Sequence, residues 1–185
     1  LLEESTPYHS RFIGVGLDSS EIGHPPSKFA RLFAKCRELG FNLCLHAGEE
    51  GPPEYVREAL IDIGADRIDH GNRSMEDAGL LKVLQDTQTP LTNCPLSNLS
   101  LCVIDDLRDS PVKAQLEAGL LVTVNSDDPA YFGGYVNQNY REVADALGLS
   151  DDQIIQLARN SFTGAFLSDA DKARHLSEID KALGI

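Results

Sequence analysis

Hydrophobic residues along the chain form short runs that alternate with stretches of helical spacing. Each run is too short for a helix and too apolar for a loop, which predicts a buried strand. Strands are predicted at residues 12–17, 42–46, 67–70, 91–94 and 120–125. Helices are predicted at residues 27–36, 53–64, 75–85 and 112–118, and from about residue 137 onwards. Ser27 and Ser150 are predicted helix caps, and Gly40 a predicted helix end.

Such an alternation of apolar strands and helices is typical of a parallel sheet covered by helices, either doubly wound or closed into a barrel. The polar positions favour the barrel. Four of the five strands have ionisable residues at their carboxyl ends, and polar groups at the carboxyl ends of several strands are typical of a barrel mouth. These residues are Asp18, His46, His70 and the pair Asp127-Asp128.

The strand count bears on how much of the barrel is present. A (β/α)8 TIM-type barrel has eight strands and about 250 residues. Five strands in 185 residues therefore predict that residues 1–185 are the carboxy-terminal part of a single barrel domain whose front is absent.

Composition excludes several classes of partner. The chain carries 16 Lys and Arg residues against 29 Asp and Glu residues, a formal net charge of -13, which would repel nucleic acid and acidic membrane surfaces. Apolar runs stay short of the roughly 20 residues that a membrane span needs. The four cysteines form no Cys-x-x-Cys pair and are expected to be buried thiols in a reducing cytoplasm.

Three polar segments could carry chemistry. His46 is followed at a short distance by Glu49, so an imidazole ligand and an acid or base lie close together. His70 ends the next strand, and Asp127 and Asp128 are adjacent carboxylates that need a cation or a donor nearby. Taken singly, each has a structural explanation: a capping histidine, a solvated loop or an acidic turn. In a barrel they converge on one mouth, and together they favour a metal or catalytic site.

These segments resemble the adenosine/adenine deaminase family, zinc enzymes with barrels of the metal-dependent hydrolase kind. The resemblance covers residues 12–166 and rests on four motifs in family order. The motifs are His46-Ala47-Gly48-Glu49, Asp69-His70-Gly71, Cys94-Pro95-Leu96-Ser97-Asn98 and Ser126-Asp127-Asp128-Pro129.

The resemblance implies a role for each site residue. His46 and Asp127 match ligands of one Zn²⁺, and two further histidines are expected from the missing amino-terminal part, because this sequence has no His-x-His. Glu49 matches the proton donor to purine N1. His70 matches the histidine that orients or deprotonates the zinc-bound water, and Asp128 matches the residue that hydrogen-bonds purine N7.

The segment after the first strand favours one substrate of the family over the others. It is similar to the corresponding segment of bacterial and fungal adenine deaminases, and Ser20 and Glu21 there could fill the space that a ribose needs. The expected activity is zinc-dependent hydrolysis of adenine to hypoxanthine and ammonia, in cytoplasmic purine salvage. Two alternatives stay open: a deaminase of adenosine or N6-substituted purines, and a metal-free barrel that binds purines without activity.

Overall fold

A parallel sheet of five strands forms the centre of the protein, in a computed structural model that describes residues 2–185 apart from the side chain of Glu3. The strands are β1 (Gly14–Leu17), β2 (Asn42–Ala47), β3 (Arg67–His70), β4 (Leu91–Asn93) and β5 (Val122–Val124). They lie side by side in chain order. A doubly wound sheet would reverse its strand order at a switch point, so the order is that of a barrel, as predicted.

The two faces of the sheet differ in polarity. In β2, Leu43 and Leu45 are fully buried in the hydrophobic core, whereas the alternate residues are only half-buried. The half-buried face continues across the sheet with polar side chains: Thr92 Oγ1 donates to Asp69 Oδ1 at 2.6 Å, and Arg67 Nε lies 3.6 Å from the same oxygen. The core thus lies between the sheet and its helices, and the opposite face is polar.

Helices connect the strands and follow the last one. They are α1 (Leu2–Ser5), α2 (Ala30–Glu38), α3 (Pro53–Arg57), α4 (Ala78–Thr87), α5 (Pro95–Ser100), α6 (Val112–Glu117), α7 (Pro129–Phe132), α8 (Val136–Leu147), α9 (Asp151–Thr163) and α10 (Asp169–Leu183). A π-helical turn, Glu58–Ile63, extends α3, and 3₁₀ turns occur at Thr6–Arg11, Pro26–Phe29, Asn72–Glu76 and Leu107–Asp109. Within residues 2–185, no helix is long and apolar enough to cross a membrane.

Two helix starts illustrate where the sequence pattern was right and wrong. Ser150 forms a complete capping box with Gln153 at the start of α9, as predicted. Ser27 does not cap α2: it lies in a 3₁₀ turn, its backbone N–H donates to Glu58 Oε2 at 3.1 Å, and α2 begins at Ala30.

The cysteine prediction is half right. All four thiols are free, and Cys36 and Cys94 are buried. Cys102, however, is exposed and Cys44 is only half-buried. Cys102 lies in the turn that follows α5, where the chain returns to the surface, and Cys44 lies on the polar face of the sheet.

Candidate active site

Four of the predicted site residues converge at the carboxyl end of the sheet. His46 and His70 lie at the ends of neighbouring strands, with ring centroids 4.7 Å apart in an edge-to-face arrangement. Glu49 lies in the loop after β2, and Asp127 follows β5. A cavity of about 320 Å³ is lined by His46, Glu49 and Asp127 together with Ser20. The structure thus brings residues of three of the four motifs to one place: His46 and Glu49, His70, and Asp127.

Glu49 and His70 form a buried polar contact at the centre of the site. Glu49 Oε1 lies 3.4 Å from His70 Nδ1, and neither atom has a hydrogen-bond partner. Burial raises the pKa of Glu49 to about 8, with a further contribution from the charge of Glu21. Burial also lowers the pKa of His70 to about 4, with a further contribution from His46.

These shifts have the opposite sign to those of an ion pair, in which the pKa of the acid would fall and that of the histidine would rise. Desolvation therefore outweighs the attraction between the two groups. At neutral pH, Glu49 is a carboxylic acid that can donate a proton, and His70 is a neutral imidazole that can accept one.

The backbone of His70 is in an uncommon conformation that buried amides support. His70 has a φ of 63° and Gly71 a φ of 66°, a left-handed region that a bulky residue rarely adopts. Asn93 Nδ2 donates to the His70 carbonyl at 3.0 Å, and Gln115 Nε2 donates to the Gly71 carbonyl at 2.8 Å. Asn93 Nδ2 also donates to Gln115 Oε1 at 2.9 Å, so β4 and α6 together hold the end of β3.

Asp127 is held by a residue whose role sequence reasoning missed. Ser97 in α5 is fully buried, and its hydroxyl donates to Asp127 Oδ2 at 2.6 Å. The two residues are 30 positions apart, so no local spacing indicates the contact. Cys94, one turn earlier, is buried beside the same carboxylate, and burial raises the pKa of its thiol well above the usual range. Cys94 is therefore a neutral thiol at physiological pH and not an activated nucleophile.

Glu21, a predicted substrate contact, is only 4% exposed. Its carboxylate accepts hydrogen bonds from the backbone N–H groups of Gly48, Glu49 and Gly51, at 3.0, 3.0 and 2.8 Å. Its neighbour Ser20 is exposed and lines the cavity.

Asp128 is exposed at the start of α7. Its Oδ1 accepts the Ala130 N–H at 3.2 Å and so caps that helix. Asp128 therefore has a structural function as a helix cap, in addition to its predicted hydrogen bond to purine N7.

The donor set suits a divalent metal. Ligand atoms of His46, Glu49 and His70 lie within 4.8 Å of one another, and so do those of His70, Cys94 and Asp127. Imidazole nitrogens and carboxylate oxygens are ligands that zinc accepts. His70 belongs to both groups, and its buried Nδ1 has no hydrogen-bond partner within the protein, which a bound species would explain.

Comparison with known proteins gives consistent matches over nearly the whole chain. The sequence model of the adenosine deaminase family matches residues 2–182. An adenine deaminase of Sphingopyxis alaskensis is 64% identical over 179 residues, covering 97% of this chain and 52% of that protein. An adenine deaminase of Hahella chejuensis is 53% identical over 182 residues, covering 98% and 54%. The chain spans about half the length of the curated relatives it matches.

Solved structures give the same result for the fold. The crystal structure of an adenine deaminase from Arthrobacter aurescens has a TM-score of 0.95 and 46% identity, covering all of this chain and 56% of that one. A Burkholderia ambifaria amidohydrolase, solved with bound Zn, has a TM-score of 0.81 at 24% identity, covering 92% and 50%, and is similar in fold alone. The predicted barrel architecture is confirmed.

Proposed function

Because this chain belongs to the adenosine deaminase family, we propose that it is the carboxy-terminal part of a zinc-dependent barrel that hydrolyses adenine to hypoxanthine and ammonia. The observation that carries this proposal is the buried pair of Glu49 and His70, whose pKa values are displaced in opposite directions. A hydrolytic deamination needs one proton donor and one proton acceptor at neutral pH, and this pair supplies both.

The metal ligands proposed from this chain are His46 and Asp127. Glu49 as a protonated acid and Cys94 as a neutral thiol are poor ligands, since a metal binds deprotonated donors. Two histidines from a preceding segment would complete the four ligands of a zinc site. When bound, zinc lowers the pKa of a water molecule to about 7 and so supplies the nucleophile.

The chain's own residues then divide the work of the reaction. Glu49 delivers its proton to purine N1 as C6 is attacked, and this relieves the charge that the attack places on the ring. Neutral His70 accepts the proton that the attacking water loses. Asp128 and Ser20 contact the purine, Asp128 at N7. The proton held by His70 then passes to the exocyclic amine, and the C6–N bond breaks as ammonia departs. The new C6 hydroxyl returns a proton to Glu49, and a 6-oxopurine with a proton on N1 remains.

Adenine is proposed as the substrate, and adenosine and N6-substituted purines are the alternatives. The relatives named adenine deaminase are the support for this choice, at 53–64% identity. The proposed setting is purine salvage in the cytoplasm, for which the four free thiols are the support.

The test uses a chimera in which this chain follows the amino-terminal half of the Sphingopyxis alaskensis relative. Ammonia release is measured from adenine, adenosine and N6-methyladenine, and zinc content by metal analysis. We expect one zinc per chain and a higher kcat/KM for adenine than for the other two. A preference for adenosine would replace the proposed substrate. A folded chimera that binds purine but releases no ammonia would overturn the proposed activity.

A further inference from the structure

We propose that Glu21 is a positioning residue that holds the loop of residues 48–51, and through it the proton donor Glu49, in the reactive arrangement. This inference rests on the proposed function. It assigns Glu21 a role that does not require contact with the purine, because its carboxylate already has three partners within the protein.

The contacts form one small array. Glu21 Oε1 accepts the N–H of Glu49 itself, and Oε2 accepts those of Gly48 and Gly51. All three bonds are buried, and they join the segment after β1 to the loop after β2 across 27 to 30 residues of sequence. Hydrogen bonds from backbone N–H groups to a carboxylate are stronger than those between neutral groups. The array therefore fixes the backbone from which the Glu49 side chain projects.

The loop is shaped to receive this carboxylate. A Cβ atom at Gly51 would overlap both Glu21 Oε2 and the ring of Tyr55, and a Cβ atom at Gly48 would overlap Val56. Gly48 also has a φ of 73°, a conformation that favours glycine. Gly51 thus lets the backbone approach Glu21 closely enough for its N–H groups to bind the carboxylate, and Gly48 lets the loop turn and pack against Val56.

The array needs a carboxylate and not merely a polar side chain. Three donors converge on two oxygens, and a carboxylate is an acceptor only. Glutamine has the same shape, but its NH₂ group would face a backbone N–H and one acceptor position would be lost. Glu21→Gln is therefore a conservative change in volume that specifically weakens the array.

The first experiment compares Glu21→Gln with Glu54→Gln in the chimera. Glu54 is an exposed carboxylate in the first turn of α3 and provides a matched control outside the array. We measure kcat, KM for adenine, zinc content, and amide hydrogen exchange of the peptide that spans residues 46–52. In Glu21→Gln we expect kcat to fall about 10²-fold with KM and zinc content nearly unchanged, because a misplacement of about 1 Å has this cost. Exchange in the loop should accelerate, and Glu54→Gln should behave as the parent.

A second variant approaches the same contact from the loop. Gly51→Ala places a methyl group 2.4 Å from Glu21 Oε2 and 2.5 Å from the Tyr55 ring, and it should give the same fall in kcat and the same faster exchange. Tyr55→Leu relieves the ring contact and serves as the control for that part of the change. If Glu21→Gln fails to fold, this variant tests the array on its own. A purely structural role would instead lower the melting temperature, the zinc content and the activity in parallel.

The outcomes separate this inference from the proposed function. Unchanged exchange in the loop, or faster exchange with unchanged kcat, would overturn the role of Glu21. A parent chimera without deaminase activity would overturn the proposed function, while the exchange measurement would still show whether Glu21 holds the loop.

Discussion

Glu49 and His70 lie 3.4 Å apart, yet burial rather than their mutual attraction sets their protonation states. The side chains of Glu49 and His70 are 8% and 2% exposed. The free energy needed to desolvate two charges there is therefore larger than the electrostatic attraction between them. The result is an acid and a base side by side, both neutral near pH 7. A surface pair with the same separation would be ionised and could do neither task.

Replacing Glu49 by glutamine tests the acid directly. An amide can donate a hydrogen bond to purine N1 but cannot transfer a proton, so we expect turnover in the chimera to fall about 10²- to 10⁴-fold. Zinc should stay bound, because Glu49 is not a proposed ligand. Steady-state kinetics and metal analysis of the same preparation check both points, and normal turnover with normal zinc would show that another group is the acid.

The raised pKa of Glu49 also predicts a pH dependence of stability in the metal-free protein. The folded-state pKa is about 8 and the ordinary value is 4.5. The folded protein is therefore most stable below about pH 4.5, where this carboxyl is protonated in both the folded and the unfolded state. That stability is lost as the pH rises towards and through about 8. We expect the free energy of unfolding of the metal-free chimera, measured in urea, to fall by about 4 kcal/mol more between about pH 5 and about pH 9 in the parent than in Glu49→Gln. Equal slopes would contradict the shift.

Substitution of the two adjacent aspartates is predicted to affect different properties, zinc content for Asp127 and kcat/KM for Asp128. Asp127→Ala removes a proposed ligand and should lower the zinc content of the chimera. Asp128→Ala should leave zinc bound and reduce kcat/KM by about 1.5–3 kcal/mol, if its bond to N7 is charge-assisted. Zinc analysis and steady-state kinetics on both variants check this, and zinc loss in the Asp128 variant alone would reverse the assignment.

At the scale of elements, α6 supports the end of β3 through one buried amide. Gln115→Ala would leave the Gly71 carbonyl and the Asn93 amide without this partner, and an unsatisfied buried group costs about 1–3 kcal/mol. We expect that loss in urea unfolding of the chimera. Glu117→Ala on the exposed side of the same helix should cost less than about 0.5 kcal/mol. Equal effects would mean that the amide contact contributes little.

The sequence predicted the order and approximate limits of the elements because hydrophobic spacing is a local signal. The strand at residues 67–70 was predicted with the limits that the structure has, and Gly64, with a φ of 73°, ends the helical segment that begins at Pro53. The start of α2 was wrong because a contact with Glu58, distant in sequence, holds Ser27 in a 3₁₀ turn.

For the candidate site, the sequence likewise predicted the residues that depend on a local signal and missed the contacts that depend on distant residues. His46, Glu49, His70 and Asp127 were found because each lies at or shortly after the carboxyl end of a strand, and parallel strands bring such positions together. The contacts that hold them were not found, because Ser97 and Glu21 reach their partners over 27 to 30 residues. No spacing rule connects residues that meet only after the sheet has formed.

At the scale of the whole molecule, the sheet is open at both ends of its strand order. Within residues 2–185, β1 and β5 each pair on one side only. Apolar side chains lie exposed beside β1: Ile13, just before the strand, is 69% exposed, and Phe12 and, in α2, Leu32 are near one half. Unpaired edges with apolar surface favour association with other chains.

The chain produced alone should therefore be poorly soluble and inactive. Sedimentation of the 185-residue product and an ammonia assay with adenine measure both properties. In the chimera we expect the added half to pair with both edges, and the chimera should therefore be soluble by the same test. A monomeric, active 185-residue product would contradict both the open sheet and the need for further zinc ligands.

The left-handed backbone at His70 affects which substitutions are informative there. Alanine at this position would remove the imidazole and also change the energy of a φ of 63°, so a loss of function would have two causes. Asparagine accepts this conformation more readily than most residues. In a saturation library, asparagine at position 70 is thus the reference against which the chemical contribution of the imidazole is measured, and alanine scanning would overstate it.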